Sequence, residues 1–329
     1  MMYIITGGAG FIGSNLVRAL NRRGIEDILV VDSLLETKKI NNLADCKIAD
    51  FVDLEDFRDQ LLSDRVSHSV QSVFHQGACS DTMATDGRYV MSLNFDYSKL
   101  IYHWCQEREV PLVYASSASV YGAGLIFSEE PENEHPLNAY AFSKWLFDRY
   151  VNDHFSSRKA QVVGLRYFNV YGPREDHKGR MASVAWHFFN QYRSEGIVKL
   201  FEGSGGYESG LQQRDFIYVG DAVGVNLYFL DHPQISGIFN VGTGKSQTFN
   251  EVARAVINGC RQHDGEEPFS LSQLVSEGII DYIPFPDALV GKYQSFTEAN
   301  ISSLREVGYQ EKFLDVEEGI SHYLSERLN

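Results

Sequence analysis

Apolar residues in this chain come in short bursts separated by longer amphipathic stretches. Residues 3–5 form the first burst, a strand-like Tyr-Ile-Ile, and residues 14–23 then place Leu16, Val17 and Leu20 at helical spacing. Between the two lies Thr6-Gly7-Gly8-Ala9-Gly10-Phe11-Ile12-Gly13. A second burst, residues 28–31, ends in Asp32, and the same alternation predicts strand character at 46–48 and 50–51, a polar helix over 54–62 and a strand at 72–75. A long helix over about 87–107 and a strand at 112–115 follow. Past an acidic, proline-bearing loop at 129–136, Asn138 is placed to cap a helix carrying Tyr140 and Lys144, and a strand covers 161–165.

Strands alternating with helices imply right-handed crossovers, a parallel sheet and ligands at the carboxyl ends of the strands. The expected fold is α/β: a doubly wound Rossmann sheet with a smaller α/β substrate-binding domain. Residues 166–174 read as leaving the sheet, and a helix runs to about Gly196. Residues 199–206 turn glycine-rich, whereas 214–219, a helix over 221–230 and a strand at 237–241 return to the alternation. Residues 1–168 with 214–243 are therefore expected to form the dinucleotide-binding domain, and 169–213 with 244–329 the substrate domain. Helices over 249–260 and 316–328 belong to the latter, and no internal repeat or low-complexity segment occurs.

Composition narrows the partners. The chain has 329 residues, 43% hydrophobic and 22% charged, with a formal net charge of −15. That balance excludes a general nucleic-acid or anionic-membrane surface, so an anionic ligand must be held by a local cluster of cations. There is no apolar run near ~18 residues and no basic-then-apolar leader, so a cytoplasmic location is expected. Cys46, Cys79, Cys105 and Cys260 lack Cys-x-x-Cys spacing, and no metal site is expected.

The candidate chemistry begins at the glycine loop. Gly7, Gly8, Gly10 and Gly13 let the backbone turn tightly and approach a pyrophosphate, and Asp32, 19 residues after Gly13, is placed to meet an adenosine ribose. Ser33 and the pair Lys38-Lys39 follow; these lysines either meet a ribose 2′-phosphate or are ordinary solvated charges, and the residues themselves leave both open. Gln76-Gly77-Ala78-Cys79-Ser80 makes a small-residue turn after its strand, and Ser116 to Gly122 places hydroxyls at another strand's carboxyl end. Tyr140 and Lys144 lie one helical turn apart on one face. A cation so close is expected to favour the phenolate and pull its pKa toward neutrality. Such spacing is common by chance, and it acquires meaning here only because a glycine loop precedes it.

Thr6 to Gly13, Ser117 before Ala118-Ser119-Val120-Tyr121-Gly122, Tyr140-x-x-x-Lys144 and Tyr171-Gly172-Pro173-Arg174 together resemble the extended short-chain dehydrogenase/reductases that act on nucleotide-sugars. Residues 166–183, Lys199-Leu200-Phe201-Glu202-Gly203-Ser204, Ile283-Pro284-Phe285-Pro286 and 291–297 are similar to the ADP-L-glycero-D-manno-heptose 6-epimerase family, which supplies a heptose for lipopolysaccharide core. That resemblance implies an isomerase using NADP, an ADP-heptose substrate and a homo-oligomer, suspected to be a pentamer. It implies cofactor contacts at Gly7, Gly10, Phe11, Ile12, Gly13, Asp32, Ser33, Lys39, the loop from Gln76 through Gly77, Ala78 and Cys79 to Ser80, Asn94, Lys144, Val170 and Lys178. Substrate contacts fall on Ser117, Asn169, Arg180, His187, Phe201, Glu202, Gly203, Ser204, Arg214 and Tyr293. The catalytic set implied is Tyr140, Lys178, Ser117 and Lys144. The chain departs from the family pattern with Arg180 for serine, Gln76 for glutamate, Leu54 for lysine and a longer stretch at 205–213. The rival readings are another nucleotide-sugar epimerase, a 4,6-dehydratase, or an NADP-sensing protein without catalysis. Ala118-Ser119 stands where such dehydratases carry Asp-Glu, which counts against elimination.

Overall fold

The computed structural model describes residues 1–66, 69–286 and 294–328. In chain order its elements are β1 (Met2–Thr6), α1 (Phe11–Arg22), β2 (Ile28–Asp32), β3 (Asp50–Asp53), α2 (Leu54–Leu62), β4 (Val70–His75), α3 (Gly87–Met91), α4 (Tyr97–Glu107), β5 (Leu112–Ser117), α5 (Ala139–Asp153) and β6 (Val162–Tyr167). There follow β7 (Asn169–Tyr171), α6 (Val184–Glu195), β8 (Val198–Phe201), β9 (Gln213–Arg214), β10 (Phe216–Tyr218), α7 (Val219–Asp231), β11 (Gly237–Val241), β12 (Gln247–Thr248), α8 (Phe249–His263), α9 (Leu271–Ser276), β13 (Ile280–Ile283), α10 (Ser302–Glu306) and α11 (Val316–Leu328).

Seven strands form one parallel sheet in the order β11-β6-β5-β4-β1-β2-β3. The chain steps outward from β1 to β3, returns to β4 on the other side and continues outward again, so the order reverses between β1 and β4. A crevice opens at the carboxyl ends there. The inner strands are largely apolar because both sheet faces are covered, with polar residues toward the carboxyl ends of β5 and β6. Ile5, Val30, Val113 and Val163 face a core completed by Leu16, Val17, Ala222, Val223 and Phe239. Their neighbours Ile4, Leu29, Leu112 and Val162 face the opposite core, with Phe57, Tyr97, Ile101, Cys105 and Phe147.

A third core gathers α6, α8 and α11 over the β8–β13 pair, with Phe188, Leu200, Val256, Ile280 and Tyr323 buried. Local chemistry delimits these helices. Thr248 and Glu251 form a capping box on α8, and α6 ends at Gly196 in a left-handed conformation, φ 72°.

Several expectations change. Residues 46–48 are not a strand: the backbone N–H and C=O of Lys47 bond to the Asn21 side chain at 2.8 Å each, and the strand begins at Asp50. The sheet is left only after Tyr167, two residues later than expected. The start of the glycine-rich stretch, 199–201, belongs to the strand Val198–Phe201, formed because Ile280–Ile283 lies parallel to it. The long helix over 87–107 is interrupted by one π-turn, Ser92–Asp96. Leu304, Tyr309 and Phe313, from the stretch assigned to the second domain, pack in the first core, where α10 lies against β11. Among the described residues no helix is long and apolar enough to cross a membrane, no three His, Cys, Asp or Glu side chains are grouped to hold a metal, and all four cysteines are free thiols.

Candidate active site

A cavity of about 590 Å³ lies at the carboxyl ends of the central strands. Its floor is the glycine loop. A Cβ on Gly13 would lie 2.1 Å from the Gly7 carbonyl oxygen, and one on Gly7, whose φ is 67°, would lie 2.6 Å from the Gly77 nitrogen. The loop, the start of α1 and the turn after β4 therefore touch backbone to backbone. Thr6 Oγ1 helps clasp them, accepting from Gly77 N at 3.2 Å and lying 2.6 Å from His75 Nδ1. Burial holds the His75 imidazole neutral, pushed down to about 3. Gly13→Ala is expected to weaken dinucleotide binding at least tenfold, because its methyl group must push α1 off the loop at a cost of about 2 kcal/mol. A fluorescence titration with the cofactor measures this.

At one end of the cavity, Asp32 is buried with its carboxylate fully engaged. Oδ2 accepts from Ala9 N at 2.9 Å, and Oδ1 accepts from Ser33 N at 2.7 Å and from Lys39 Nζ at 2.8 Å. Lys39 also donates to the Ser33 carbonyl at 3.1 Å. Lys38 points away and is exposed, so only one of the two adjacent lysines lines the cavity. The turn carrying Lys39, Thr37–Leu43, is tied inward by Asn42, whose amide reaches Ala9 O at 2.9 Å, Arg174 O at 3.1 Å and His177 Nδ1 at 3.2 Å.

The segment from Gln76 to Asp81 forms the wall next to the glycine loop. Asn94 does not line the cavity but shapes it from the π-turn: its Oδ1 accepts from Cys79 N at 2.8 Å, and its Nδ2 donates to Cys79 O and Ser143 Oγ, each at 3.0 Å. Gln76 lies against Tyr167 and Asn226, donating to Asn226 Oδ1 at 3.1 Å, so its amide is used inside the wall. Leu54 stands in the wall as an apolar residue.

Ser117, Tyr140 and Lys144 meet at the far end. Asn138 caps α5, accepting from Ala141 N at 2.8 Å, and the helix then presents Tyr140, Lys144 and Asp148 on successive turns of one face. Tyr140 is hydrogen-bonded to Ser117. The expected tuning by Lys144 is absent: burial raises the phenol above its ordinary value, opposed by Ser117, and Lys144 does not act on it. The reason is the direction of the ammonium, which donates to the Ala115 carbonyl at 2.7 Å. Burial lowers Lys144 to about 8, partly offset by Asp148. Asp148 in turn accepts from Tyr114 Oη at 2.9 Å, and from Ser116 Oγ and Arg166 Nε at 2.8 Å each, while Arg166 pairs with Glu134. This buried network fixes α5 against β5 and β6.

Lys178 enters from a different part of the chain. Its ammonium lies 5.1 Å from the centre of the Phe11 ring, and burial lowers its pKa against the opposing charge of Glu175. Glu175 anchors the segment by accepting from Ser183 N at 2.6 Å and Ser183 Oγ at 2.7 Å. Arg180 also lines the cavity and pairs with Asp81 at 2.7 Å, an exposed ion pair joining two walls.

Of the residues expected to contact substrate, Ser117 and Arg180 line this cavity, and Asn169 sits beside Phe168 and Val170, which do. His187, Phe201, Glu202, Gly203, Ser204 and Arg214 do not line it. His187 Nε2 is 3.4 Å from the Arg180 carbonyl, and Glu202 N donates to Ile283 O at 2.8 Å. Arg214 is buried on β9 beside Asp215, a hub whose carboxylate accepts from Thr243 N, Thr243 Oγ1, Gly244 N and Ala299 N. Tyr293 lies outside the described residues. Among the cavity-lining residues not singled out from sequence are Glu36, Asp81, Tyr89, Tyr97, His177 and Met181. His177 and Met181 belong to the loop that carries Lys178, and that adjacency was the available signal.

A parallel sheet whose first turn is a glycine loop, with a Tyr-Lys pair at the carboxyl ends, is the frame of a dinucleotide-dependent enzyme class, and this chain belongs to the NAD dependent epimerase/dehydratase family, whose pattern matches residues 3–242. Within that class it is 55% identical over 325 residues to the ADP-L-glycero-D-manno-heptose-6-epimerase of Thiobacillus denitrificans, covering 99% of this chain and 98% of that one. The crystal structure of the Helicobacter pylori ADP-L-glycero-D-manno-heptose-6-epimerase superposes with a TM-score of 0.79 at 30% identity, over 99% of this chain and 95% of that one. The Thermus thermophilus UDP-glucose 4-epimerase, solved in complex with NAD, gives 0.76 at 29% identity over 99% and 98%.

Proposed function

We propose that this protein is an isomerase that converts ADP-D-glycero-D-manno-heptose to ADP-L-glycero-D-manno-heptose at C6, using NADP. The observation that carries the reading is that one cavity is lined by two titratable side chains from different elements, Tyr140 and Lys178, together with the glycine loop. The 55% identity to an ADP-heptose epimerase over nearly the whole chain supports the substrate.

The cavity suits a nicotinamide dinucleotide: the glycine floor leaves no Cβ between backbone and a pyrophosphate, and Asp32 and Lys39 stand where the adenosine ribose would lie. When bound, that cofactor supplies reversible hydride transfer, which flattens a secondary alcohol carbon to a ketone and allows hydride to return to the other face. The chain's own residues manage the protons. On one side, Tyr140 Oη exchanges a proton with the reacting oxygen while Ser117 Oγ steadies that oxygen by hydrogen bonding. On the other, Lys178 Nζ does so once the oxygen has turned; its lowered pKa brings the ammonium closer to the range in which it gives and takes protons. Lys144 holds the strand end at Ala115 and keeps a positive charge at the nicotinamide side below about pH 8.

NADP is favoured over NAD because Lys39 already occupies Oδ1 of Asp32, leaving less of that carboxylate for a ribose 2′-hydroxyl and placing an ammonium beside Ser33 for a 2′-phosphate. Asn169, Arg180, His187, Phe201 to Ser204, Arg214 and Tyr293 are assigned to the substrate, with Arg214 as bidentate partner for its diphosphate. Residues 1–168 with 214–243 act as the cofactor domain, joined by the packing of 304–313, and the remainder as the substrate domain. We also assign the protein to the cytoplasm and to a homo-oligomer, with a pentamer the specific expectation.

Incubating the purified protein with ADP-D-glycero-D-manno-heptose and following the C6 proton by NMR tests this. The expected result is conversion to the L-glycero epimer with no net consumption of cofactor. Turnover of UDP-sugars alone assigns the chain to another epimerase, an eliminated product to a dehydratase, and no turnover of any sugar nucleotide to a sensor.

A further inference from the structure

His177 is a cavity-lining titratable group that the mechanism above leaves unused. It shares one wall with Ser33 and Lys39, and it is held there by Asn42, from the same turn that carries Lys39. Asn42 also bridges the carbonyls of Ala9, in the glycine loop, and Arg174, so turn, loop and imidazole form one tied unit. Among the described residues, Nδ1 is the His177 nitrogen with a hydrogen-bond partner. Nε2 is left for the cavity.

We propose that His177 completes a phosphate-reading cluster with Lys39 and Ser33, and that a 2′-phosphorylated dinucleotide binds with uptake of a proton at this imidazole. The inference rests on the NADP reading above and adds to it a residue and a linked proton.

The electrostatics supply the reason for linkage. The groups acting on His177 are the ammoniums of Lys39 and Lys178, the carboxylates of Asp32 and Glu36, and, on its own segment, Asp176. Burial comes first and the two ammoniums next, and together they push the imidazole down to about 4, against Asp32 and Glu36. The ring is therefore neutral at pH 7 without ligand. A phosphate dianion near Lys39 reverses the local field and favours the imidazolium: the added proton goes to Nδ1, the two amide hydrogens of Asn42 stay on the Ala9 and Arg174 carbonyls, and Nε2–H, already present in the neutral ring, donates to the phosphate. NAD carries a hydroxyl at that position and gives no such reversal. The sign follows: protons are taken up on NADP binding, so NADP affinity rises as pH falls from 8 toward 6, whereas NAD affinity stays level.

Isothermal titration calorimetry at pH 7, in buffers of different ionisation enthalpy, reads the proton directly. The expected result for the wild-type chain is uptake of roughly half a proton or more with NADP and roughly none with NAD. His177→Gln is expected to lose that uptake and about tenfold in NADP affinity, with NAD affinity unchanged. NADP bound more tightly than NAD but with no proton uptake, or with uptake that persists in His177→Gln, overturns this inference and leaves the NADP reading standing. Equal affinity for the two dinucleotides overturns both. The wild-type measurement decides the matter even if the variant folds poorly.

Discussion

Tyr140→Phe is expected to lose roughly a thousandfold in turnover while keeping its fold and its affinity for the dinucleotide. The ring stays in place on α5, where Asn138 caps the helix and the Asp148–Arg166–Glu134 network holds its inner face. Only the hydroxyl and its bond to Ser117 are lost. The effect should therefore appear in kcat rather than in the thermal midpoint. Because burial raises the phenol, its free form carries its proton over the neutral range and is ready to donate it to the ketone oxygen as hydride returns. Thermal melts and cofactor titrations alongside the rate measurement separate the two readings. Wild-type turnover in the Phe variant would remove Tyr140 from the chemistry.

Lys178→Met is expected to lower epimerisation by a hundredfold or more, again with the dinucleotide still bound. Methionine keeps an apolar stem of similar length against the Phe11 ring and removes only the ammonium that lies 5.1 Å from it. Glu175 stays tied to Ser183, so the loop keeps its anchor. Losing one of two proton carriers stops inversion without dismantling the other, which distinguishes this variant from a general collapse of the cavity. NMR of product configuration, with circular dichroism to confirm the fold, checks it. If the L-glycero product forms at the wild-type rate, the second proton carrier lies elsewhere.

Much of the cofactor end was legible in the chain because its signals are local. A strand, a glycine run, a helix and an acidic strand end fall within the first 32 residues, and steric need at Gly7 and Gly13 explains them residue by residue. The Asn138 cap and the four-residue spacing of Tyr140 and Lys144 are local too. Legibility failed where a partner distant in sequence decides. Residues 46–48 have strand-like residues, but the Asn21 side chain takes the backbone groups of Lys47. Val198–Phe201 looks like a loop entrance until Ile280–Ile283 lies beside it. The π-turn that aims Asn94 at Cys79 has no composition signal of its own.

The amino-acid sequence alone determined the alternating α/β order, the glycine loop and the Tyr140–Lys144 turn, because each depends on neighbours within a few residues. Tertiary structure decided the charge states and the partners. It turned Lys144 toward the Ala115 carbonyl instead of the Tyr140 phenol, set Lys39 on Asp32, and brought Lys178 and His177 into a cavity built mostly by the first half of the chain. Burial and the direction of an ammonium are properties of packed elements, and no spacing along the chain encodes them.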